Sequence, residues 1–491
     1  MMALARFTPL TLALMLSACA VGPDYRRPDA ALPAGFARAE PADARLGTAP
    51  SPVSPADSAD AEFWRGFNDP TLSALIAQAL AANNDLKVAV ARYDAANALL
   101  RNAKFDLYPT ITAGGQIGHQ LLSQSQAFGA SRDQRDTPVS GLNVNASWEL
   151  DLFGRVRRGV ESQREETAAS AADLRAVRVA LAGNVANAYL DLRGQQERLR
   201  IARDNADNQR QTLALIEARL SAGRGSELDA ARARAQFETT ASRIAVYEAG
   251  IGVDEHRLAV LTGRTPDALI AWLDTPAPLP ALPADIDPGT PADVLRRRPD
   301  VAAAEARLHA ATARVGVATA DLFPRFTLTG MLGSLTSRYG FFSSGSDTNL
   351  IALGVDWSFL DVGRVRARIA ASRADAAGLL AQYQQTVLGA LEDTENALLR
   401  SARTRDESAH LERAAGSSAQ AAQLAQTRFE AGAIDYYEVL DAERTLLQAQ
   451  DAAADSRVRS ATAVVALYKA LAGGWPPAAA GEPGPLAQRR D

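Results

Sequence analysis

Two stretches of this sequence, Gly154–Ala222 and Gly363–Ala431, each run about 69 residues without a proline and are rich in alanine. As α-helices rising ~1.5 Å per residue, each is roughly 100 Å long. Helices of that length cannot curl into one globule, so they form a bundle, a rod or the wall of a tube. In the second, Val365, Ile369, Ser372, Ala376, Leu379, Tyr383, Val387 and Leu391 keep the three-to-four spacing of a coiled-coil seam. At 491 residues and 47% hydrophobic, the chain is also too long for one ordinary core.

What precedes each long helix narrows the choice. Trp148–Arg157 reads WELDLFGRVR and Trp357–Arg366 reads WSFLDVGRVR: an alternating run ends in Asp and Gly, and the helix follows. Each is a joint at which a strand passes directly into a helix, with Trp148, Gly154 and Arg155 in one and Trp357, Gly363 and Arg364 in the other. The joints belong to a larger duplication. Asp85, Arg92, Ala96 and Asp106–Pro109 match Asp300, Arg307, Ala311 and Asp321–Pro324 at an offset of 215. Trp148, Gly154, Arg219 and Gly223 match Trp357, Gly363, Arg428 and Gly432 at an offset of 209. The unit is helix, strand, loop, strand, long helix, turn, long helix. It is expected over 61–263 and again over 300–473, with 264–299 as a linker and 474–491 as a tail. Strands are expected at about 108–119, 139–152, 324–334 and 349–360, and long helices at about 154–222, 226–262, 363–431 and 435–472. The fold class is mainly α with a β part.

The strands alternate. Leu142, Val144, Ala146, Trp148, Leu150 and Leu152 share one face, while Asn143, Asn145, Ser147, Glu149 and Asp151 share the other. About 11 residues at ~3.3 Å each, tilted, is the length at which a barrel strand crosses a bilayer. A soluble sheet with one wet face has the same period. Four strands cannot close a barrel, and hydrocarbon leaves edge amides unsatisfied. If these strands lie in a membrane, several chains must share one barrel.

Each long helix ends at Ala-Gly, and glycine suits the left-handed position there, at Gly223 and Gly432. The next helices begin with Ser226-x-x-Asp229 and Asp435-x-x-Glu438, both of capping-box type. Asp441 lies one turn beyond Glu438 on the same side. The other terminus of the design is residues 1–18, which read as an export signal: Arg6, the apolar run Leu10–Leu16, then Ser17-Ala18 before Cys19. That run is too short to span a bilayer as a helix. Cys19 is either the acylated first residue of a lipoprotein or an incidental cysteine after an ordinary signal; its position and flanks favour acylation. Ala20, rather than Asp, follows it and points to the outer membrane. Residues 19–60 read as a lipid-anchored extended segment.

Several functions are disfavoured. The net charge of −5, from 52 basic and 57 acidic residues spread along the chain, lacks the basic stripe of a nucleic-acid binder. A single cysteine permits no intrachain disulfide and no Cys-based metal cluster. His119, His256, His309 and His410 are scattered, with no H-E-x-x-H, G-x-S-x-G or phosphate-binding loop. No catalytic residue, metal or cofactor is expected beyond covalent lipid on Cys19.

The sequence resembles the TolC-type outer-membrane efflux channel family, in its lipoprotein, NodT-like branch. Leu16–Cys19 matches a lipobox, and Cys19-Ala-Val-Gly-Pro-Asp-Tyr25-Arg-Arg-Pro28 continues the pattern. Trp148–Arg155, Leu295-Arg-Arg-Arg-Pro-Asp300 and Arg428-Phe-Glu-Ala-Gly432 carry the rest. The resemblance implies a homotrimer with a twelve-stranded outer-membrane barrel continuing into a long periplasmic α-helical barrel. It implies a passive exit duct in a Gram-negative outer membrane, serving a periplasmic adaptor and an inner-membrane pump, usually of the resistance-nodulation-division class, as in antibiotic resistance. It also implies that acids after the hairpin glycines narrow a periplasmic aperture, here Asp229, Glu438 and Asp441, with Phe429 at the aromatic position. The turns at Gly223 and Gly432 become candidates for adaptor docking. Ile434 stands where the family often has a basic residue, so the basic half of an aperture salt bridge is missing there. The competing reading of Asp441 is a solvated acid.

Arg155, Arg157 and Arg158, like Arg364, Arg366 and Arg368, sit in first turns, where cations oppose the helix dipole. Lipid phosphates or a neighbouring protomer's acids would explain them; a solvated helix face is the plain alternative. The competing reading of the whole chain is a periplasmic coiled-coil lipoprotein scaffold with a soluble sheet. The two separate on fractionation. With Cys19→Ala behind an ordinary signal peptide, a channel still partitions into membranes and needs detergent. Recovery as a soluble monomer would defeat the channel reading.

Overall fold

The computed structural model describes residues 20–29, 32–37, 63–283, 288–337, 341–342 and 344–471. Cys19, the signal and the tail lie outside the described residues. The helices are α1 (Pro70–Ala82), α2 (Asn84–Phe105), α3 (Arg132–Arg135), α4 (Arg155–Ser221), α5 (Glu227–Leu261), α6 (Ile270–Leu273), α7 (Pro291–Arg297), α8 (Pro299–Ala320), α9 (Val362–Glu430) and α10 (Tyr436–Ala470). The strands are β1 (Thr110–Leu121), β2 (Asp136–Leu150), β3 (Arg325–Thr336) and β4 (Asp347–Asp356). No described helix is long and apolar enough to cross a membrane. The chain divides into two compact units. One is built on 91–172 and 303–385 with the described residues up to 29; the other takes those within 31–90, 173–302 and 386–491.

The first unit holds the sheet, in the order β1-β2-β3-β4 with every pair antiparallel. β2 starts at Asp136, earlier than the alternation indicated, because its first residues pair with β1 alone. Pro138 sits there, where a missing N–H leaves no ladder bond unmade on the β3 side. Residues directly opposite share a face, so the register sorts the sheet. Val144 pairs with Ala113 and Leu332, Ala146 with Ile111 and Gly330, and Leu328 with Trp148 and Leu353. That face is aliphatic and open: Ile351, opposite Gly330, is 85% exposed. The other face presents Thr112, Gln116, Asn143, Asn145, Thr327 and Thr329.

Within the same unit the coiled-coil spacing of α9 becomes a packing seam. Val365, Ile369 and Tyr383 are buried, and Ser372, Ala376 and Leu379 are half-buried.

The second unit packs around capped helix ends. Asp69 caps α1, its Oδ1 accepting the Leu72 N–H at 2.9 Å and its Oδ2 the Tyr189 hydroxyl at 2.7 Å. Leu72, Leu75, Ile76 and Ala79, at three-to-four spacing, are then wholly buried. Asn83 closes the helix and begins the next: its Oδ1 accepts the Leu86 N–H, and its Nδ2 donates to the Leu261 carbonyl. Arg298, in the Leu295–Asp300 motif, is 8% exposed and joins four segments. Its guanidinium donates to the Ala470 carbonyl at 3.1 Å, to the Ala390 carbonyl at 3.5 Å, and to the carboxylates of Asp300 at 2.6 Å and Asp393 at 3.2 Å. Burial alone would raise the Asp300 carboxyl; Arg298 and the Val301 N–H outweigh it and hold it below its ordinary value.

Removing the guanidinium leaves the buried carbonyls of Ala390 and Ala470 without their donor, at roughly 1–3 kcal/mol for an unpaired buried group, while Asp300 and Asp393 stay partly exposed. Arg298→Ala is therefore expected to lower the unfolding midpoint of the detergent-purified protein strongly, and Arg298→Lys less so. Because Asp300 is depressed in the folded state, the pair's contribution is present near neutral pH and is lost as pH falls through its lowered pKa.

Candidate functional site: strand–helix joints and hairpin turns

The first joint is built around Asp151. Its carboxylate accepts the N–H groups of Val156 at 3.0 Å and Arg157 at 2.8 Å, so an anion stands at the N-terminus of α4. Arg157 turns back to that carboxylate at 3.2 Å, Arg155 to Glu149 at 2.8 Å, and Arg158 to Asp24 and to Glu161, the latter at 2.8 Å. The conflict between arginines and helix dipole is thus resolved by acids of the same chain. The second joint does likewise with other residues: Arg364 pairs with Asp361 at 3.0 Å and Arg368 with Asp321 at 3.3 Å. Lipid phosphate is not needed to explain these five cations.

The duplicated tryptophans hold equivalent places. Trp148 Nε1 donates to the Leu107 carbonyl at 3.1 Å, and Trp357 Nε1 to the Leu322 carbonyl at 3.0 Å. Each indole ties the end of a strand to the turn after the preceding helix. The paired glycines are not equivalent. Gly154 has φ +80° just before α4, and a Cβ there would lie 2.7 Å from Ala20 Cα. Gly363 is already inside α9 and has open space around it. The shared Gly-Arg letters therefore mark a tight turn in one copy and an ordinary helical turn in the other. The second joint passes through a short 3₁₀ turn, Phe359–Asp361, before its helix.

Ala20 approaches Gly154 because the segment after Cys19 is laid along this unit. The Val21 N–H donates to the Phe153 carbonyl at 3.1 Å. Gly22 has φ +97°, and a Cβ would fall 2.5 Å from Gly316 Cα. Tyr25 stacks on His309 at 4.3 Å and donates its hydroxyl to Glu305 at 3.3 Å, while Arg27 pairs with Glu305 at 3.0 Å. The Gly-Pro-Asp-Tyr-x-Arg pattern is thus a string of anchors.

The hairpin turns lie in the second unit. Gly223 and Gly432 have φ +73° and +74°. Arg224 N–H donates to the Arg219 carbonyl at 2.9 Å, and Ala433 N–H to the Arg428 carbonyl at 2.8 Å, the six-to-one bonds of Schellman turns. The capping boxes expected beyond them do not form. Ser226 accepts from Leu228 N–H rather than from Asp229, and Asp435 makes no side-chain cap. Asp229 instead lies 3.8 Å from Arg232, and Glu438 projects freely from the first turn of α10. The hairpins pack together through Ile216, Ala230, Ala233, Phe429, Tyr436, Val439 and Leu440. Phe429 is buried in that cluster, 7% exposed, with the Arg219 guanidinium 4.4 Å above its ring. Glu438 and Asp441 are exposed on one side of α10 and form no ion pair among the described residues. Sequence reading missed Arg219 over Phe429 and Tyr25 on His309, which no spacing rule brings together.

Comparison with known proteins decides the family. The pattern of the outer membrane efflux protein family matches residues 75–264 and 290–473. The chain belongs to the outer membrane efflux protein family. Nodulation protein T of Rhizobium leguminosarum bv. trifolii is 30% identical over 482 residues, covering 96% of this chain and 98% of that one. The toluene efflux pump outer membrane protein TtgC of Pseudomonas putida is 33% identical over 471 residues, covering 94% of each. The solved structure of the outer-membrane channel OprN is similar with a TM-score of 0.83 at 39% identity, covering 93% of this chain and all of that one. Membership makes the protein an efflux component of the outer membrane with the mainly helical, small-sheet fold of such channels.

In this efflux protein the two joint glycines should respond differently. Gly154→Ala is expected to lower the thermal midpoint and loosen the segment around Ala20, read as faster proteolysis before residue 30. Gly363→Ala is expected to leave the thermal midpoint nearly unchanged, since Gly363 stands in the first turn of α9 with open space around it.

Proposed function

We propose that this efflux protein is the exit duct of a tripartite pump. In this reading three copies contribute their four strands to one twelve-stranded barrel, and the long helices continue it as a periplasmic tube. One observation carries the reading: among the described residues β1 pairs only with β2 and β4 only with β3, while one face of the sheet is aliphatic and exposed. In hydrocarbon two open edges are untenable, and closure by further copies supplies every missing partner. The aliphatic face then meets lipid, and the Thr-, Gln- and Asn-bearing face lines water. The duct supplies no energy of its own. An inner-membrane pump, of the resistance-nodulation-division class by resemblance, drives cargo through a periplasmic adaptor that docks at the turns of Gly223 and Gly432. Acylation of Cys19 would hold the segment that begins at Ala20 to the membrane beside the first joint.

At the hairpin end, Glu438 and Asp441, with Asp229, line the aperture in this reading. Threefold copies of the exposed, unpaired Glu438 and Asp441 make a ring that favours cations, while Asp229 stands beside Arg232. Phe429 serves the aperture from within the packing rather than by facing the pore. Glu438→Ala with Asp441→Ala is expected to raise single-channel conductance in planar bilayers and to weaken cation preference. Unchanged conductance and selectivity would sink the aperture assignment.

A further inference from the structure

Below the hairpin cluster, α4 and α10 meet along a seam of polar side chains. Asn205 Nδ2 donates to Gln450 Oε1 at 2.8 Å, and Arg198 pairs with Asp451 at 2.7 Å. Nearer the turns this matching stops. Gln209 is 3% exposed, yet neither its Nε2 nor its Oε1 has a hydrogen-bond partner among the described residues. Glu443 Oε2 is likewise buried and without a partner. Thr212, one turn from Gln209 on the same side of α4, brings its hydroxyl to Glu443 but gives its hydrogen to the Asn208 carbonyl at 3.1 Å. A hydroxyl so committed offers the carboxyl only an acceptor.

No cation pairs with Glu443 among the described residues. On α10 itself the titratable neighbour is Tyr436, whose hydroxyl is pushed up by burial and by Glu443 and Asp229. From α5 the titratable group is that Asp229; from α4 come Thr212 and Gln209. From α9 come Phe429 and Ala425, while its Arg428 and Glu430 are exposed. Burial pushes the Glu443 carboxyl up to about 7.

We propose that Glu443 is a proton-controlled positioning residue for the aperture: neutral, it lets α4 and α10 close over it, and ionised, it parts them beneath the hairpin cluster. The proposal rests on the exit-duct reading and on the hairpin end as its narrow point. Glu443 itself touches no cargo. It lies one turn from Val439 and Leu440, which are buried in the cluster, so a shift at its position passes to the helix that carries Glu438 and Asp441. The closed arrangement binds a proton that the parted one gives up. Closure is therefore strongest in acid and is lost as pH rises through about 7.

The test is single-channel conductance of the full-length purified channel in planar bilayers, between about pH 6 and pH 8, a span that carries one carboxyl through most of its titration. Wild type is expected to show conductance rising with a one-proton midpoint near 7. Glu443→Gln and Glu443→Leu are expected to lose that step and to keep the acid-side conductance throughout. A flat wild-type profile, or a step that survives in either variant, overturns the proposal. The step is expected to persist in the Glu438→Ala, Asp441→Ala channel. If it does while the baseline there is unchanged, Glu443 stands and only the aperture acids fall. Should neither Glu443 variant assemble, infrared spectra of wild type with isotope-labelled glutamate decide. A protonated glutamate carboxyl band at pH ~6 that vanishes by pH ~8 supports the proposal, and its absence at the lower pH overturns it.

Discussion

The constraint on which the rest depends is that backbone N–H and C=O groups must be paired wherever water is absent. Within a single chain the four strands satisfy one another on their inner sides and leave two outer edges open. The side chains repeat the same incompleteness, with an aliphatic face that covers no core. A soluble protein manages exposed edges with charge, proline or bulges. Here β4 carries charge only at its two ends, Asp347 and Asp356, and runs Leu350, Ile351, Leu353 and Val355 between them. Sharing one barrel among copies in a membrane answers both problems together.

A strand that runs into a helix also needs an answer for the first N–H groups of that helix. Asp151 supplies it directly, and the arginines that follow anchor to the acids around it. The two copies reach this end by different routes. In the first, a left-handed glycine makes room for the segment after Cys19. In the second, a 3₁₀ turn leads into the helix, and Trp357, Phe359 and Leu360 remain exposed. The tryptophan anchors are kept in both copies while the turns differ, and of the two joints it is the first that packs against the N-terminal segment, at Ala20.

At the hairpins the balance between apolar and polar packing sets what can move. Phe429, Tyr436, Val439 and Leu440 form a small buried cluster, closed by the Schellman turns and by Arg219 over an aromatic ring. The seam beneath it leaves buried polar atoms unmatched at Gln209 and Glu443. A buried unpaired polar group costs roughly 1–3 kcal/mol, so that stretch of the α4–α10 contact is the place where least is lost by separating.

Much of this was legible in the residues. Proline-free length and three-to-four spacing specify long helices, since periodicity is a local property of the backbone. Alternation in Leu142–Leu152 specifies a two-faced strand, and the offsets between Trp148 and Trp357 specify two copies. The glycines of the turns were readable because only the left-handed region demands them. The anchoring of Tyr25 on His309, the acids that receive Arg155 and Arg157, the failure of the Asp435 cap and the burial of Glu443 were not. Each depends on which residues distant in sequence meet, and spacing along one helix does not encode its neighbour. Gly154 and Gly363 show the division most plainly: the sequence gives both the same letters, and only packing against Ala20 makes one of them indispensable.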